Sequence, residues 1–465
     1  MALIKSISGF RGTIGGKAGN NLTPQDIVEC TAAYGSWLLN NGKAAKVVLG
    51  RDARISGELV AKLVCSTLQS LGIDVVDLGL STTPTVEIAV PLEKAGGGII
   101  LTASHNPKQW NALKLLNHKG EFISAQDGRD LLALVEKGDI TYAAVEKLGS
   151  YEYKDHYIQT HIDQVLALPL VDADAIKKRA FKVVVDVINS TGAISIVPLL
   201  EQLGCEVVVI NGDMTGQFAH NPEPLVENLR ELCNSIEANR ADLGIAVDPD
   251  VDRLCFVSED GEMFGEEYTL VAISDFILQH KKGATVSNLS STQALREVTQ
   301  KHGCSYEASA VGEVNVVQKM KDIGAVIGGE GNGGVIYPGL HYGRDALVGV
   351  ALMLTHLVNY GKPLSFLRKT YPSYHISKNK IQLTPDIDLN FLLKRLEEKY
   401  SNEKTNTIDG LKIEFESDWI HLRRSNTEPI IRIYTESTSQ VIAQNLATKI
   451  KADVNEILKD MVKTV

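Results

Sequence analysis

Several features that mark whole protein classes are missing from this sequence. Only six of its 465 residues are cysteine (Cys30, Cys65, Cys205, Cys233, Cys255 and Cys304), and no two stand as C-x-x-C. That excludes the paired-cysteine motifs and predicts reduced, buried thiols in a cytoplasmic protein. No apolar run approaches the roughly 20 residues of a membrane span. The opening residues, Met-Ala-Leu-Ile-Lys-Ser, lack the sustained apolar region of a secretory signal. An excess of positive charge is also absent. Lysine and arginine number 47 against 57 acidic residues, a net charge of -10. This argues against nucleic acid or an anionic membrane as the main partner. What is present fits a globular protein: 44% hydrophobic and 22% charged residues. The length predicts about three or four domains.

The chain repeats itself. An apolar strand over 46–49 is followed by a helical stretch over 57–71, then Gly72, then a strand over 73–78. The pattern returns as strand 181–187, helix 193–203, Gly204 and strand 205–210. A fainter copy runs from Ala284 through helix 293–302 to Gly303 and strand 304–308. Each glycine suits the left-handed residue that ends a helix. Three strand–helix–strand copies more than 100 residues apart predict three similar α/β domains rather than a solenoid. The C-terminal segment differs. Residues 411–415, 419–422 and 430–434 alternate as strands, and a helix over 439–459 ends the chain. This predicts a small α+β domain. The expected division is 1–150, 151–255, 256–370 and 371–465.

Four loops carry residues fit for chemistry. In the first, the apolar run 97–101 ends in Thr102-Ala-Ser104-His105-Asn106-Pro107, with Lys114 ten residues beyond Ser104. Asn106 and Pro107 favour a turn, which would expose Ser104 at a strand's C-terminal end, where α/β sites form. The second reads Asp248-Pro-Asp250-Val-Asp252-Arg253. Three carboxylates on alternate residues repel unless a cation opposes them, and all-oxygen ligands suit Mg²⁺. An EF-hand loop is excluded. Glu259 does fall at its twelfth position, but Arg253 stands where the sixth needs glycine, and a strand precedes. A loop serine beside basic groups, with a carboxylate cluster for a hard cation, points to phosphoryl transfer. An acidic protein that handles phosphates must gather positive charge at its site.

The third loop, Gly328-Gly-Glu330-Gly-Asn332-Gly-Gly334, lacks the Lys-Ser/Thr of a phosphate-binding P-loop. Its glycines either let backbone approach a ligand or serve structure alone. Glu330 and Asn332 could hydrogen-bond hydroxyls. Gly9-Phe-Arg11-Gly-Thr-Ile-Gly-Gly16 also departs from P-loop spacing. The fourth, Arg423-Arg-Ser425-Asn426-Thr427-Glu-Pro429, puts guanidinium, hydroxyls and backbone N–H groups in one turn, either an anion pocket or a solvated basic turn.

In order and spacing these four loops resemble those of the α-D-phosphohexomutases, over nearly the whole chain. The resemblance implies a heart-shaped, four-domain architecture of three related α/β units and a mobile fourth. By it, Ser104 carries the phosphoryl group, and Mg²⁺ is held by Asp248, Asp250, Asp252 and a phosphoserine oxygen. His105 flanks the nucleophile, Lys114 is the general acid/base, and Arg11 and Arg253 stabilise the transferring phosphate. Glu330 and Asn332 hold the sugar. Arg423, Ser425, Asn426 and Thr427 hold the non-reacting phosphate. The implied reaction interconverts hexose or hexosamine 6- and 1-phosphates through phosphoserine and a 1,6-bisphosphate. Its partners would be small sugar phosphates in the cytoplasm, and a homo-oligomer is compatible with the sequence.

Two departures bear on the sugar. Many family members read Gly-Glu-x-Ser-Gly-His in the third loop, where this chain has Asn332 for the serine and Gly334 for the histidine. That form looks like an archaeal-type branch that includes phosphoglucosamine mutases, with phosphoglucomutase/phosphomannomutase the alternative. The serine segment also reads Asn111-Ala-Leu-Lys114, with alanine where glycine is usual. A non-catalytic sugar-phosphate sensor would not need Ser104, and a Mg²⁺-dependent phosphatase would need a route for water.

Overall fold

A computed structural model describes residues 3–6, 9–382, 388–424 and 430–463, with side chains as far as 459. The three repeats are realised with one topology. In the first, strands Asp74–Leu80, Lys46–Arg51 and Gly97–Leu101 pair in parallel, and Trp110–Leu116 joins antiparallel. The second repeats this with Glu206–Ile210, Lys182–Asp186, Leu243–Val247 and antiparallel Leu254–Ser258. The third does so with Tyr306–Ser309, Thr285–Asn288, Ile327–Glu330 and antiparallel Gly334–Ile336. Gly72, Gly204 and Gly303 take the expected left-handed conformation, with φ of 78°, 72° and 70°. A residue with a Cβ would be strained there, so the helix ends where the glycine stands.

This topology positions the site. In every unit the third and fourth strands form a hairpin at the same place in the sheet. The three hairpin loops carry Ser104, the aspartates and the glycine-rich segment. Three of the four motifs are therefore equivalent positions of one repeated backbone.

The sheets also correct the expected divisions. Position 255 lies inside strand Leu254–Ser258, which pairs along its whole length with Leu243–Val247, so the second unit must include the complete hairpin. Position 150 precedes Tyr151–Tyr153, which adds to the edge of the first sheet. On that sheet's other side Gly9–Thr13 pairs with Trp110–Leu116, setting Gly9 opposite Lys114 and Arg11 opposite Ala112.

The second and third units share one continuous hydrophobic core, from Ile162 to Tyr371. Helix Ala346–Tyr360 is its centre. Its sequence, ALVGVALMLTHLVNY, is apolar on nearly every face, and the helix packs on both units. A helix apolar all round must be covered all round. The fourth unit has a separate core and an antiparallel sheet ordered His375–Gln382, Ile430–Ser437, Trp419–Arg424, Leu411–Glu414, Lys404–Asn406. Helices Leu389–Lys399 and Gln440–Lys463 complete it.

Candidate active site

Ser104 is held in the left-handed region at φ 48° and is almost fully buried. Asp52 and Arg54, a buried ion pair at 3.0 Å, hold its loop. Arg54 donates to the carbonyls of Ser104, Asn106 (2.7 Å), Pro107 (2.8 Å) and Trp110 (2.9 Å). Thr102 Oγ1 donates to Asp52 at 2.6 Å and accepts from the Ser104 N–H at 2.9 Å. One guanidinium thus satisfies four carbonyls that a buried loop would otherwise leave unpaired. Ser104 Oγ donates to Asp248 Oδ2 at 2.6 Å, joining the first hairpin to the second. His105 Nδ1 stands 3.5 Å from the same hydroxyl. Burial and the nearby charges of Arg253 and Arg11 push that imidazole well below its usual range, so it is neutral.

Asp248, Asp250 and Asp252 are all fully buried. Asp248 Oδ1 accepts the N–H groups of Asp252 and Arg253, each at 3.1 Å. The turn passes through Val251 at φ 63°, an unfavourable conformation for a β-branched residue. Strain of this kind persists only where surrounding structure imposes it, and it is common at functional sites. Burial and the neighbouring Asp252 and Asp250 raise Asp248 well above the usual carboxylate range. Asp252 is held below that range by Arg344 and Lys114, which outweigh its burial. Lys114 Nζ lies 2.6 Å from Asp250 Oδ2 and 3.1 Å from Asp252 Oδ2. Burial alone would lower it, but these two charges raise it, so it is an ammonium.

The donor set fits a hard divalent cation. One oxygen from each aspartate lies within 4.8 Å of the others. Asp250 Oδ1 and Asp252 Oδ1 are buried without a hydrogen-bond donor among the described residues. Orphaned buried carboxylate oxygens are costly and mark a place for a cation. The three aspartates are a candidate metal site.

Arg344 joins the second hairpin to the third. Its guanidinium meets Asp252 at 2.7 Å, Glu330 at 2.7 Å and Glu313 at 3.0 Å. Glu330 also accepts from Asn288 Nδ2 at 2.7 Å and the Gly312 N–H at 3.0 Å. A carboxylate has about four lone-pair sites, so one remains. Asn332 Oδ1 accepts the Gly334 N–H at 3.2 Å. The loop's glycines have structural reasons. A Cβ on Gly331 would fall 1.9 Å from Glu267 Oε2, and one on Gly334 would fall 2.3 Å from Arg344 Cδ.

Positive charge gathers around these carboxylates. Arg11 donates to Asn106 Oδ1 at 2.9 Å, and the charges of Asp250, Asp252, Arg253 and Arg54 all act on it. Arg253 meets Glu223 at 3.2 Å. Arg423, near the end of strand Trp419–Arg424, has a buried Nε with no hydrogen-bond partner among the described residues. Ser425, Asn426 and Thr427 lie outside the described residues. The fourth unit docks on the third through Lys412 to the Leu289 carbonyl (2.8 Å), Glu436 from Thr292 Oγ1 and the Gln293 N–H (both 3.0 Å), and His421 to Ser290 (2.9 Å).

Sequence reasoning missed Asp52, Arg54, Thr83 and Arg344. Thr83 donates to Asp250 from the start of helix Thr83–Leu92. Asp52 and Arg54 directly follow strand Lys46–Arg51, so the rule that α/β sites form beyond strand ends could have found them. Arg344 carries no local signal.

Comparison with known proteins agrees with this architecture. Models of the phosphoglucomutase/phosphomannomutase family match unit by unit: alpha/beta/alpha domain I over 4–141, domain II over 159–261, domain III over 265–374 and the C-terminal domain over 386–452. A phosphoglucomutase/phosphomannomutase of Thermococcus kodakarensis is 34% identical, covering 92% of this chain and 94% of the relative. A phosphoglucosamine/phosphogalactosamine mutase of Sulfurisphaera tokodaii is 32% identical, covering 97% and 99%. A crystal structure of a family protein from Burkholderia thailandensis superposes with a TM-score of 0.84 at 26% identity, covering 97% of this chain and 96% of that one. With all four units matched along relatives of the same length, the chain belongs to the phosphoglucomutase/phosphomannomutase family, the α-D-phosphohexomutases.

Proposed function

We propose that this phosphohexose mutase acts chiefly on glucosamine phosphates, in the cytoplasm, with Mg²⁺ held by Asp248, Asp250 and Asp252. The reading rests on one observation above all. Ser104 Oγ hydrogen-bonds Asp248 at 2.6 Å, in a buried cluster with two orphan carboxylate oxygens and the Lys114 ammonium. Ser104 is the group carrier. Phospho-Ser104 loses its P–O bond as one forms to a sugar-phosphate hydroxyl, giving the 1,6-bisphosphate. The bisphosphate turns over in the cleft, Ser104 takes back the other phosphoryl group, and the isomer leaves. Lys114 handles the hydroxyl proton, and Arg11 and Arg253 oppose charge on the transferring oxygens. The bound cation would supply further neutralisation of phosphate charge and hold a phosphoserine oxygen. His105, kept neutral, can accept at the serine without adding charge. Arg423, Ser425, Asn426 and Thr427 would hold the distal phosphate.

The sugar is read by Glu330 and Asn332. Glu330 keeps one acceptor site after its three protein donors. An ammonium or hydroxyl at the sugar's second carbon would fill it. Three experiments test the proposal. Incubation with glucosamine, glucose and mannose 6-phosphates and a trace of the matching 1,6-bisphosphate should give 1-phosphates, fastest for glucosamine. Free phosphate would indicate a phosphatase, and no change a sensor. Intact mass of active protein should show one phosphate on Ser104, and Ser104→Ala should abolish turnover. Asn332→Ser should shift the glucosamine-to-glucose activity ratio several-fold, since sites built to pair polar groups discriminate against their loss. An unchanged ratio moves selectivity elsewhere.

A further inference from the structure

Behind the aspartate cluster, where the first three units meet, lies a second convergence of ligand-type side chains. His161 comes from helix Tyr157–Leu166, and His341 and Asp345 from the segment that enters helix Ala346–Tyr360. Asp345 Oδ2 lies 2.9 Å from His161 Nε2 and 3.2 Å from His341 Nε2. Its other oxygen, Oδ1, caps the helix by accepting the Leu347 and Val348 N–H groups at 2.8 and 3.3 Å. Each imidazole has a side chain of the first unit behind it. His161 Nδ1 is 3.0 Å from Thr85 Oγ1, and His341 Nδ1 is 3.3 Å from Glu87 Oε2. Glu87 is 1% exposed, and neither of its oxygens has a hydrogen bond of good geometry.

We propose that His161 Nε2, His341 Nε2 and Asp345 Oδ2 bind a zinc-class divalent cation, distinct from the aspartate site, that locks the first three units together. With the ring protons on Nδ1, on the side of Thr85 and Glu87, the two inner nitrogens keep their lone pairs. Those lone pairs and a carboxylate oxygen then converge, an arrangement that needs a cation or protons between them. For metal–ligand bonds of about 2.0–2.2 Å, tetrahedral neighbours stand roughly 3.2–3.6 Å apart. The observed 3.2 Å stands at the lower edge of that range and the 2.9 Å just below it, so a bound metal would spread the ligands by a few tenths of an ångström. Two imidazoles and one carboxylate favour zinc over magnesium, which prefers oxygen. Glu87 is the outer carboxylate that orients a metal-binding histidine. His341, 13% exposed at its side chain, is the edge through which a metal and a fourth ligand could enter.

The position gives the site a purpose. Thr85 lies two residues beyond Thr83, which bonds Asp250, and Asp345 follows Arg344, which bonds Asp252. A metal here would fix both supports of the aspartate cluster without touching substrate.

The test uses the full-length protein stripped with chelator and kept in excess Mg²⁺, so that the aspartate site is filled. Zinc titration followed by gel filtration and elemental analysis should leave one zinc per chain. Co²⁺ in its place should give the visible absorption of a four-coordinate ion. Zinc should raise the unfolding temperature. All three signals should be lost in His161→Gln and His341→Gln and kept in Asp250→Asn. Glu87→Gln should weaken zinc binding by about 10- to 100-fold. His341 sits at the edge, so His341→Gln keeps the test open if His161→Gln fails to fold. Absence of retained zinc in Mg²⁺ overturns the proposal. So does zinc that survives both histidine changes and disappears in Asp250→Asn.

Discussion

The hairpins of the second and third units occupy the same place in the same four-stranded topology, yet they do opposite things with charge. The second puts three carboxylates in one buried turn, strains Val251 to φ 63° and leaves two oxygens without donors. The third holds one carboxylate, Glu330, already met by Arg344, Asn288 and Gly312, and makes room for its neighbours with glycine. One hairpin keeps buried carboxylate oxygens that no described donor meets. The other is finished except for a single acceptor site. A repeated backbone thus supplies positions only, and the side chains decide what charge each position gathers and what it leaves unpaired.

The sharpest way to separate the two hairpins is Asp250→Asn. It keeps the shape and removes a charge from the aspartate turn. Metal affinity and kcat/KM should fall together, by more than the roughly 10- to 100-fold that outer-sphere changes cost. Thermal unfolding of the metal-free protein should move far less. Calorimetric metal titration beside a steady-state assay checks this, and retention of both affinity and activity would break the contrast.

Arg344→Met should do the reverse. It removes the guanidinium that the buried carboxylates of Asp252, Glu330 and Glu313 share, and removing one partner of a buried pair costs about 3–5 kcal/mol. Denaturant unfolding should register that loss even without metal. Near-wild-type stability would mean the two hairpins are not coupled through this guanidinium.

Arg423 tests how far the site extends beyond the hairpins. By the scale of charged hydrogen bonds, Arg423→Ala should cost roughly 2–3 kcal/mol, about 30- to 150-fold in kcat/KM. Phospho-Ser104 and bound metal should be unaffected. Loss of the metal as well would place Arg423 in the reacting cluster instead.

The smallest effect concerns docking of the fourth unit. Burial pushes the His421 imidazole down to about 3. A histidine with a lowered folded pKa costs nothing above its unfolded value of about 6.5. As pH falls below that, the unfolded chain takes a proton the docked state refuses, and stability is lost. From pH 7 to 5 this component is about 2 kcal/mol. Burial raises Glu436 in the same interface to about 7, which acts in the opposite direction. The comparison is therefore between wild type and His421→Gln, where the Glu436 contribution cancels. The stability gap between them should change by about 2 kcal/mol over that range, in the variant's favour. Parallel pH profiles would show that His421 is not held neutral by docking.

Much of the molecule was legible in the sequence because its signals are local. Apolar runs, helix-ending glycines and turn residues each act within about 15 residues, and all three repeats could be read from them. The division near 255 was misjudged because strand Leu254–Ser258 belongs to the sheet before it, and antiparallel pairing leaves no mark at a boundary. Ser104, the aspartates and Glu330 could be singled out because each sits in a loop of unusual composition. Arg344 could not, since a lone arginine before a helix looks like any other.

The sequence by itself determined the repeated α/β pattern, the distinct last unit, the four motifs and, through them, the family. Only the tertiary structure decided that three equivalent hairpins meet, that Arg344 bonds Asp252 across 92 positions and Ser104 bonds Asp248 across 144, and that two histidines and an aspartate gather behind them. The reason is physical. Secondary structure follows from dihedral preference and local burial. Which buried charges face one another follows from how whole units pack, here through a core that the second and third units share.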